Sequence, residues 1–109
     1  VTPGDPKELI AAKQLRNSFL ALKVSYFNQV KDFCDAQEID FESVRKVITD
    51  DKRINPSHSL VSRNARGYGG HCLPKDVTAT IRSAQVVKAN ISILEEADVY
   101  NQKVRKGIT

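Results

Sequence analysis

A run of ten residues, Gly67-Tyr68-Gly69-Gly70-His71-Cys72-Leu73-Pro74-Lys75-Asp76, concentrates most of the chemistry this sequence can perform. Cys72 stands just ahead of an expected helix start at Pro74. The unpaired N–H groups and dipole of a helix amino terminus stabilise negative charge on a sulfur placed there. The glycines upstream carry no Cβ, so their amides can approach a ligand closely. Asp76 follows Cys72 by four positions, about one helical turn, which lets its carboxylate lie near the sulfur. A thiol and a carboxylate so arranged suit covalent catalysis on a carbonyl carbon. A buried structural cysteine behind a glycine turn accounts for the same residues equally well. His71 reads as incidental, because adjacent side chains after a glycine turn point apart.

The elements that must position this run read as helices. Asp5-Pro6-Lys7-Glu8 is a strong helix start, with Asp at the cap and Pro at the first helical position. Leu15, Phe19, Leu22, Tyr26, Val30 and Phe33 then recur at helical spacing, and a second stripe runs through Leu20, Val24, Phe27 and Cys34. Neither Gly nor Pro interrupts residues 7–38, so one helix is expected from about Pro6 to about Ala36, roughly 45 Å long. So small a domain cannot cover both stripes; one should meet this chain's other helices and the other a second subunit or another domain. Cys34 reads as core packing within that helix. Asp40 caps a shorter helix, about Phe41 to Asp50, with Val44, Val47 and Ile48 on its apolar face. Residues 51–73, rich in Asn, Ser and Gly, form a loop longer than compact domains ordinarily carry without a function. A third helix is expected from Pro74 to about Ala84, and a fourth from Ser92, with Glu95 completing a capping box, to before Gly107. No strand, repeat or low-complexity tract is evident. The fold class is all-α: a long amino-terminal helix packed with shorter helices, and a long catalytic loop between the second and third.

These motifs resemble the UDP-glucose/GDP-mannose dehydrogenase family over nearly the whole chain. Residues 69–76 match its catalytic GGxCxxKD segment. Lys13 and Asn17 stand as K-x-x-x-N, followed by Phe19-Leu20-Ala21 and Tyr26-Phe27-Asn28, and Asp51-Lys52-Arg53-Ile54 looks like the D-x-R-I-G element before the substrate loop. Asn55 replaces a common Gly, Gln29 a frequent Glu, and the stretch from Arg53 to Cys72 is slightly long. The resemblance implies two successive NAD-dependent oxidations of a nucleotide sugar at C6, with Cys72 holding the aldehyde as a thiohemiacetal and then the acid as a thioester. Lys13 and Asn17, four apart and so on one helix face, would donate to the oxygen at C6. Asp76 would act as a base through water. It further implies that Arg53 reaches the substrate from the neighbouring subunit of a homodimer built on the long helix. Gly69 and the stretch from Val61 to Ala65 would touch the sugar and diphosphate, and Lys75 would lie near NAD. The Gly-Tyr-Gly-Gly run followed by Leu73-Pro74-Lys75-Asp76 looks nearer the UDP-glucose members than those acting on N-acetylated sugars; GDP-mannose stays open.

Composition sets bounds on the alternatives. The chain has 109 residues, 40% hydrophobic and 28% charged, with a formal net charge of +4. The cations are dispersed rather than blocked, and no aromatic-basic run or zinc-finger spacing supports a nucleic-acid reader. A helical binding module remains the non-enzymatic alternative, although it leaves the loop chemistry without a purpose. There is no apolar run of membrane-spanning length and no secretory signal, so the expected location is a reducing cytoplasm, where Cys34 and Cys72 are free thiols. No metal-ligand spacing is seen. No G-x-G-x-x-G follows a strand, so the NAD-binding domain and the nucleotide-sugar-binding domain are expected to flank residues 1–109, which read as one central helical domain. The opening Val1, in place of a methionine, fits a piece of a longer protein.

Overall fold

The computed structural model describes residues 5–107, so Val1 and the expected outer limits of the domain lie outside the described residues. Four helices follow in order: α1 (Pro6–Ala36), α2 (Phe41–Thr49), α3 (Cys72–Val87) and α4 (Ser92–Arg105). No strand occurs among the described residues, and the fold is all-α as expected. The helix α1 forms for the reasons its sequence gives: Asp5 accepts from the Lys7 N–H at 2.9 Å, and Pro6 opens the first turn. It stops where Glu38 turns left-handed and the Ile39 N–H returns to the Cys34 carbonyl at 3.0 Å. Asp40 caps α2 through the Ser43 N–H at 3.0 Å.

The core sits where α3 and α4 cross α1, around Ala21, Tyr68, Val77 and Leu94, with Leu22, Val24, Leu73, Ile81 and Ile91 against it. The most deeply packed residues of α1 include Ser18, Ala21, Ser25 and Asn28, spaced three and four apart, which neither apolar stripe contains. Small side chains let the helix axes approach, and the polar ones are satisfied across the seam: Ser18 donates to Thr80 at 3.2 Å. Phe27 and Cys34 of the second stripe are buried, whereas much of the first stripe is exposed: Leu15 at 51%, Phe19 at 63%, Tyr26 at 61% and Phe33 at 60%. Among the described residues, no helix is long and apolar enough to cross a membrane.

Three details differ from expectation. Helix α3 begins at Cys72 and runs to Val87, ending on a left-handed Lys88 rather than a glycine. Proline is tolerated anywhere in a first turn, where its missing N–H has no intrahelical partner, so Pro74 marks the turn and not its first residue. No capping box forms at α4: Ile91 occupies the cap, and the Ser92 N–H is taken by the Asn90 side chain at 2.9 Å. On α2, Val47 is 75% exposed while Arg45 is buried, paired with Glu42 and donating to Ser59 at 3.0 Å.

Candidate active site

Cys72 is the first residue of α3, is exposed, and carries a free thiol. The first turn of any helix leaves N–H groups without intrahelical partners, so the sulfur sits where backbone donors are available. Cys34, the other thiol, is 0% exposed within α1 and belongs to the core. One turn after Cys72, Asp76 is buried at 3% exposure. Its carboxylate is turned towards α1 and accepts from Asn17 Nδ2 at 2.6 Å; it makes no hydrogen bond to the Cys72 sulfur. Thr80 Oγ1 donates to the Asp76 carbonyl at 2.7 Å and accepts from Ser18, so the α1–α3 seam is locked by hydrogen bonds directly behind the carboxylate. Asn17 and Asp76 are therefore brought together from 59 positions apart, and Lys13 is exposed one turn earlier on α1. A donor-bearing face of α1 and the amino-terminal turn of α3 thus share one region. The region brings an exposed thiol, a buried carboxylate and an amide donor onto adjoining turns of α1 and α3.

The remaining predicted residues fall around this region in different ways. Lys75 is exposed on the first turn of α3, and Gly69 is half-buried beneath the Arg105 guanidinium, which a Cβ on Gly69 would meet at 2.5 Å. Val61 is half-buried and Ala65 exposed. Arg53 does not reach the Cys72 region in this chain: its side chain is 88% exposed and paired with Asp51 at 2.7 Å. It borders a groove shared with Phe19 and Tyr26, the exposed stripe of α1. Lys23 holds this turn in place by donating to the Ile54 carbonyl at 2.5 Å and the Asn55 carbonyl at 3.1 Å; its burial lowers the ammonium pKa.

The loop is held by contacts that no local sequence pattern announces. Asn28, buried in α1, accepts through Oδ1 from Arg66 Nε at 2.7 Å and from the Gly67 N–H at 3.0 Å. Arg66 also donates to Asp32 at 2.8 Å, and Tyr100 donates to the same carboxylate. Asn101, buried in α4, accepts from the Tyr68 N–H at 2.7 Å and donates to the Tyr68 carbonyl at 3.0 Å. The Tyr68 hydroxyl donates to Asp98 at 2.6 Å. Burial, reinforced by these carboxylate bonds, pushes both phenols well above the usual tyrosine range, so they stay protonated donors. The signal for this network is faint: polar residues on helices look like surface until the segment they bind is known.

Known proteins resemble this chain along most of its length. Residues 8–103 match the model of the UDP-glucose/GDP-mannose dehydrogenase family, central domain. The chain is similar to UDP-glucose 6-dehydrogenase of Pseudomonas aeruginosa, 36% identical over 92% of this chain and 21% of the relative. It is also similar to UDP-glucose 6-dehydrogenase YwqF of Bacillus subtilis, 35% identical over 82% of this chain and 20% of that protein. A third relative, UDP-glucose 6-dehydrogenase of Streptococcus pneumoniae, is 32% identical over 91% of this chain and 24% of its own length. The chain spans about a fifth of the length of these relatives. The four-helix frame, the glycine-rich run leading into a helix at Cys72, and the match across residues 8–103 agree: this chain belongs to the UDP-glucose/GDP-mannose dehydrogenase family.

Proposed function

We propose that this chain is the central, nucleophile-bearing domain of an NAD-dependent nucleotide-sugar 6-dehydrogenase, with UDP-glucose as substrate and UDP-glucuronate as product. The observation that carries the reading is the exposed Cys72 at the head of α3, one turn from an Asp76 that is itself tied to Asn17 of α1 at 2.6 Å. Two molecules of NAD⁺ in turn, held by a part of the protein outside this chain, would supply the acceptor for the two hydrides that leave C6. Among the described residues there is no strand, hence no strand–glycine turn–helix to grip a dinucleotide pyrophosphate. What the chain offers the cofactor is the exposed Lys75 beside Cys72.

The residues act on the sugar as follows. Lys13 and the Asn17 amide donate to the oxygen at C6 and stabilise the negative charge that develops there as the hydroxyl proton departs. That proton passes through water to Asp76 and on to solvent, a hydride leaves C6, and the aldehyde results. The Cys72 sulfur then bonds to C6, its proton passing to the aldehyde oxygen, and a thiohemiacetal results. Departure of the second hydride and the hydroxyl proton makes the thioester. Asp76 takes a proton from the water that attacks C6, the C–S bond breaks, and the thiol regains a proton as the carboxylic acid leaves. The sum is one alcohol, one water and two NAD⁺ converted to one acid, two NADH and two protons. Accordingly, the full-length enzyme yields two NADH per UDP-glucose consumed, and the isolated chain yields none. One NADH per sugar with free aldehyde as product, or turnover by the isolated chain, contradicts the reading.

Dimerisation through α1 belongs to the same proposal. Leu15, Phe19, Tyr26 and Phe33 are exposed along one stripe, and Ile93 and Val99 of α4 are 78% and 45% exposed. Leu22, Tyr26, Ile93 and Val99 line one continuous groove. Apolar area of this kind is normally covered by a partner. A second copy seated there would meet Arg53, which supports that arginine reaching the partner's sugar site, with Gly69 and the Val61–Ala65 stretch contacting the bound nucleotide sugar. The isolated chain is therefore expected to scatter light as a dimer at micromolar concentration. A monomer across a wide concentration range contradicts this.

A further inference from the structure

We infer that Asn101 is a positioning residue for Cys72, acting through the backbone of Tyr68. The inference rests on the dehydrogenase reading above and deepens it. Asn101 is 5% exposed in α4, and both ends of its amide are engaged on one residue: Oδ1 accepts from the Tyr68 N–H at 2.7 Å and Nδ2 donates to the Tyr68 carbonyl at 3.0 Å. This is the pairing that a neighbouring strand makes with a peptide, supplied here by a side chain, because the loop from residue 50 to residue 71 has no strand beside it. Asn28 completes the grip from the opposite helix by accepting from the Gly67 N–H at 3.0 Å. Gly67 is left-handed at φ +79°, and a Cβ there would come within 2.3 Å of Asn101 Oδ1, so the glycine exists to let the amide in.

Three residues separate Tyr68 from Cys72, two of them glycines, and Gly70 is left-handed with open space around it. The Arg105 guanidinium lies over Gly69, and beyond it Gly70 leaves the tether loose. The approach of the segment to α3 is therefore set at the Tyr68 peptide, whose orientation Asn101 fixes while the Tyr68 ring sits in the core and its hydroxyl donates to Asp98. Asn101 is placed to govern the covalent step at C6 rather than the affinity for the nucleotide, since its amide is buried at 5% exposure and turned to the loop backbone.

The test uses the full-length enzyme, UDP-glucose and NAD⁺. Asn101→Asp keeps the size of the side chain and the acceptor for the Tyr68 N–H but presents no donor to the Tyr68 carbonyl. Asn101→Ala removes both bonds. The expected result is a kcat lower by about tenfold in Asn101→Asp and by up to about a hundredfold in Asn101→Ala. The KM for UDP-glucose should stay within about twofold, and a carbonyl-trapping reagent should capture aldehyde that the wild-type enzyme does not release. Unchanged kcat in both variants overturns the positioning role while leaving the dehydrogenase reading intact. So does a rise in KM with kcat unchanged, or loss of the folded state in both variants, because Asn101 then serves binding or the fold alone. A wild-type enzyme with no turnover on any nucleotide sugar overturns the dehydrogenase reading and this inference with it.

Discussion

Cys72→Ala in the full-length enzyme is expected to lower the rate of acid formation by on the order of 10³-fold or more, as removal of a covalent nucleophile does elsewhere. Without the sulfur, the aldehyde has nothing to hold it between the two oxidations. Cys34 cannot substitute, because it is 0% exposed inside α1. Cys34→Ala removes only a small buried group, so its effect is a modest loss of stability with turnover preserved. Steady-state NADH and acid production by the two variants is the measurement. Wild-type turnover in Cys72→Ala contradicts the assignment of the nucleophile.

Gly67→Ala is expected to destabilise the fold strongly while leaving every reacting group in place. Its φ of +79° costs an L-residue about 1–2 kcal/mol by itself. The new Cβ would also fall 2.3 Å from Asn101 Oδ1 and 3.1 Å from Val104, so the amide must leave the Tyr68 backbone. Adding the lost hydrogen bonds brings the destabilisation to roughly 2–4 kcal/mol. Gly70→Ala is the internal comparison: it shares the left-handed backbone, at φ +84°, but has nothing within 4 Å of the new Cβ, so only the backbone strain applies. Urea unfolding of the two variants should rank Gly67→Ala clearly below Gly70→Ala. Equal loss in both would mean that the fit against Asn101 carries no weight.

The parts of this fold that were legible in the sequence are those decided locally. The limits of α1 follow from Asp5-Pro6 at one end and a continuous run without breakers, and both limits were read correctly. Asn17 enters the site through its helical spacing with Lys13 and the family resemblance, whereas the 2.6 Å bond it donates to Asp76 of α3 is a contact that no local pattern announces. The parts that were not legible depend on distant partners. The Ser18, Ala21, Ser25, Asn28 face reads as unremarkable because small and polar residues give no apolar periodicity, yet it is the face that α3 and α4 need to come close. The Asn28 and Asn101 grip joins residues 39 and 33 positions apart, beyond the reach of any local pattern. The end of α3 escaped for a different reason: Lys88 takes the left-handed conformation that glycine usually marks.

The chemistry proposed for Cys72 requires that the sulfur carry the sugar during turnover, and that species can be caught. Full-length enzyme mixed with UDP-glucose and NAD⁺, quenched in acid within the first turnovers and digested, gives peptides whose masses report any acyl group. The account predicts that the peptide containing Cys72 gains the mass of the nucleotide-sugar acyl group, or of its sugar portion, and loses it on treatment with hydroxylamine, while the peptide containing Cys34 is unchanged. An enzyme that forms acid with no adduct on Cys72, or with the adduct on another residue, contradicts it.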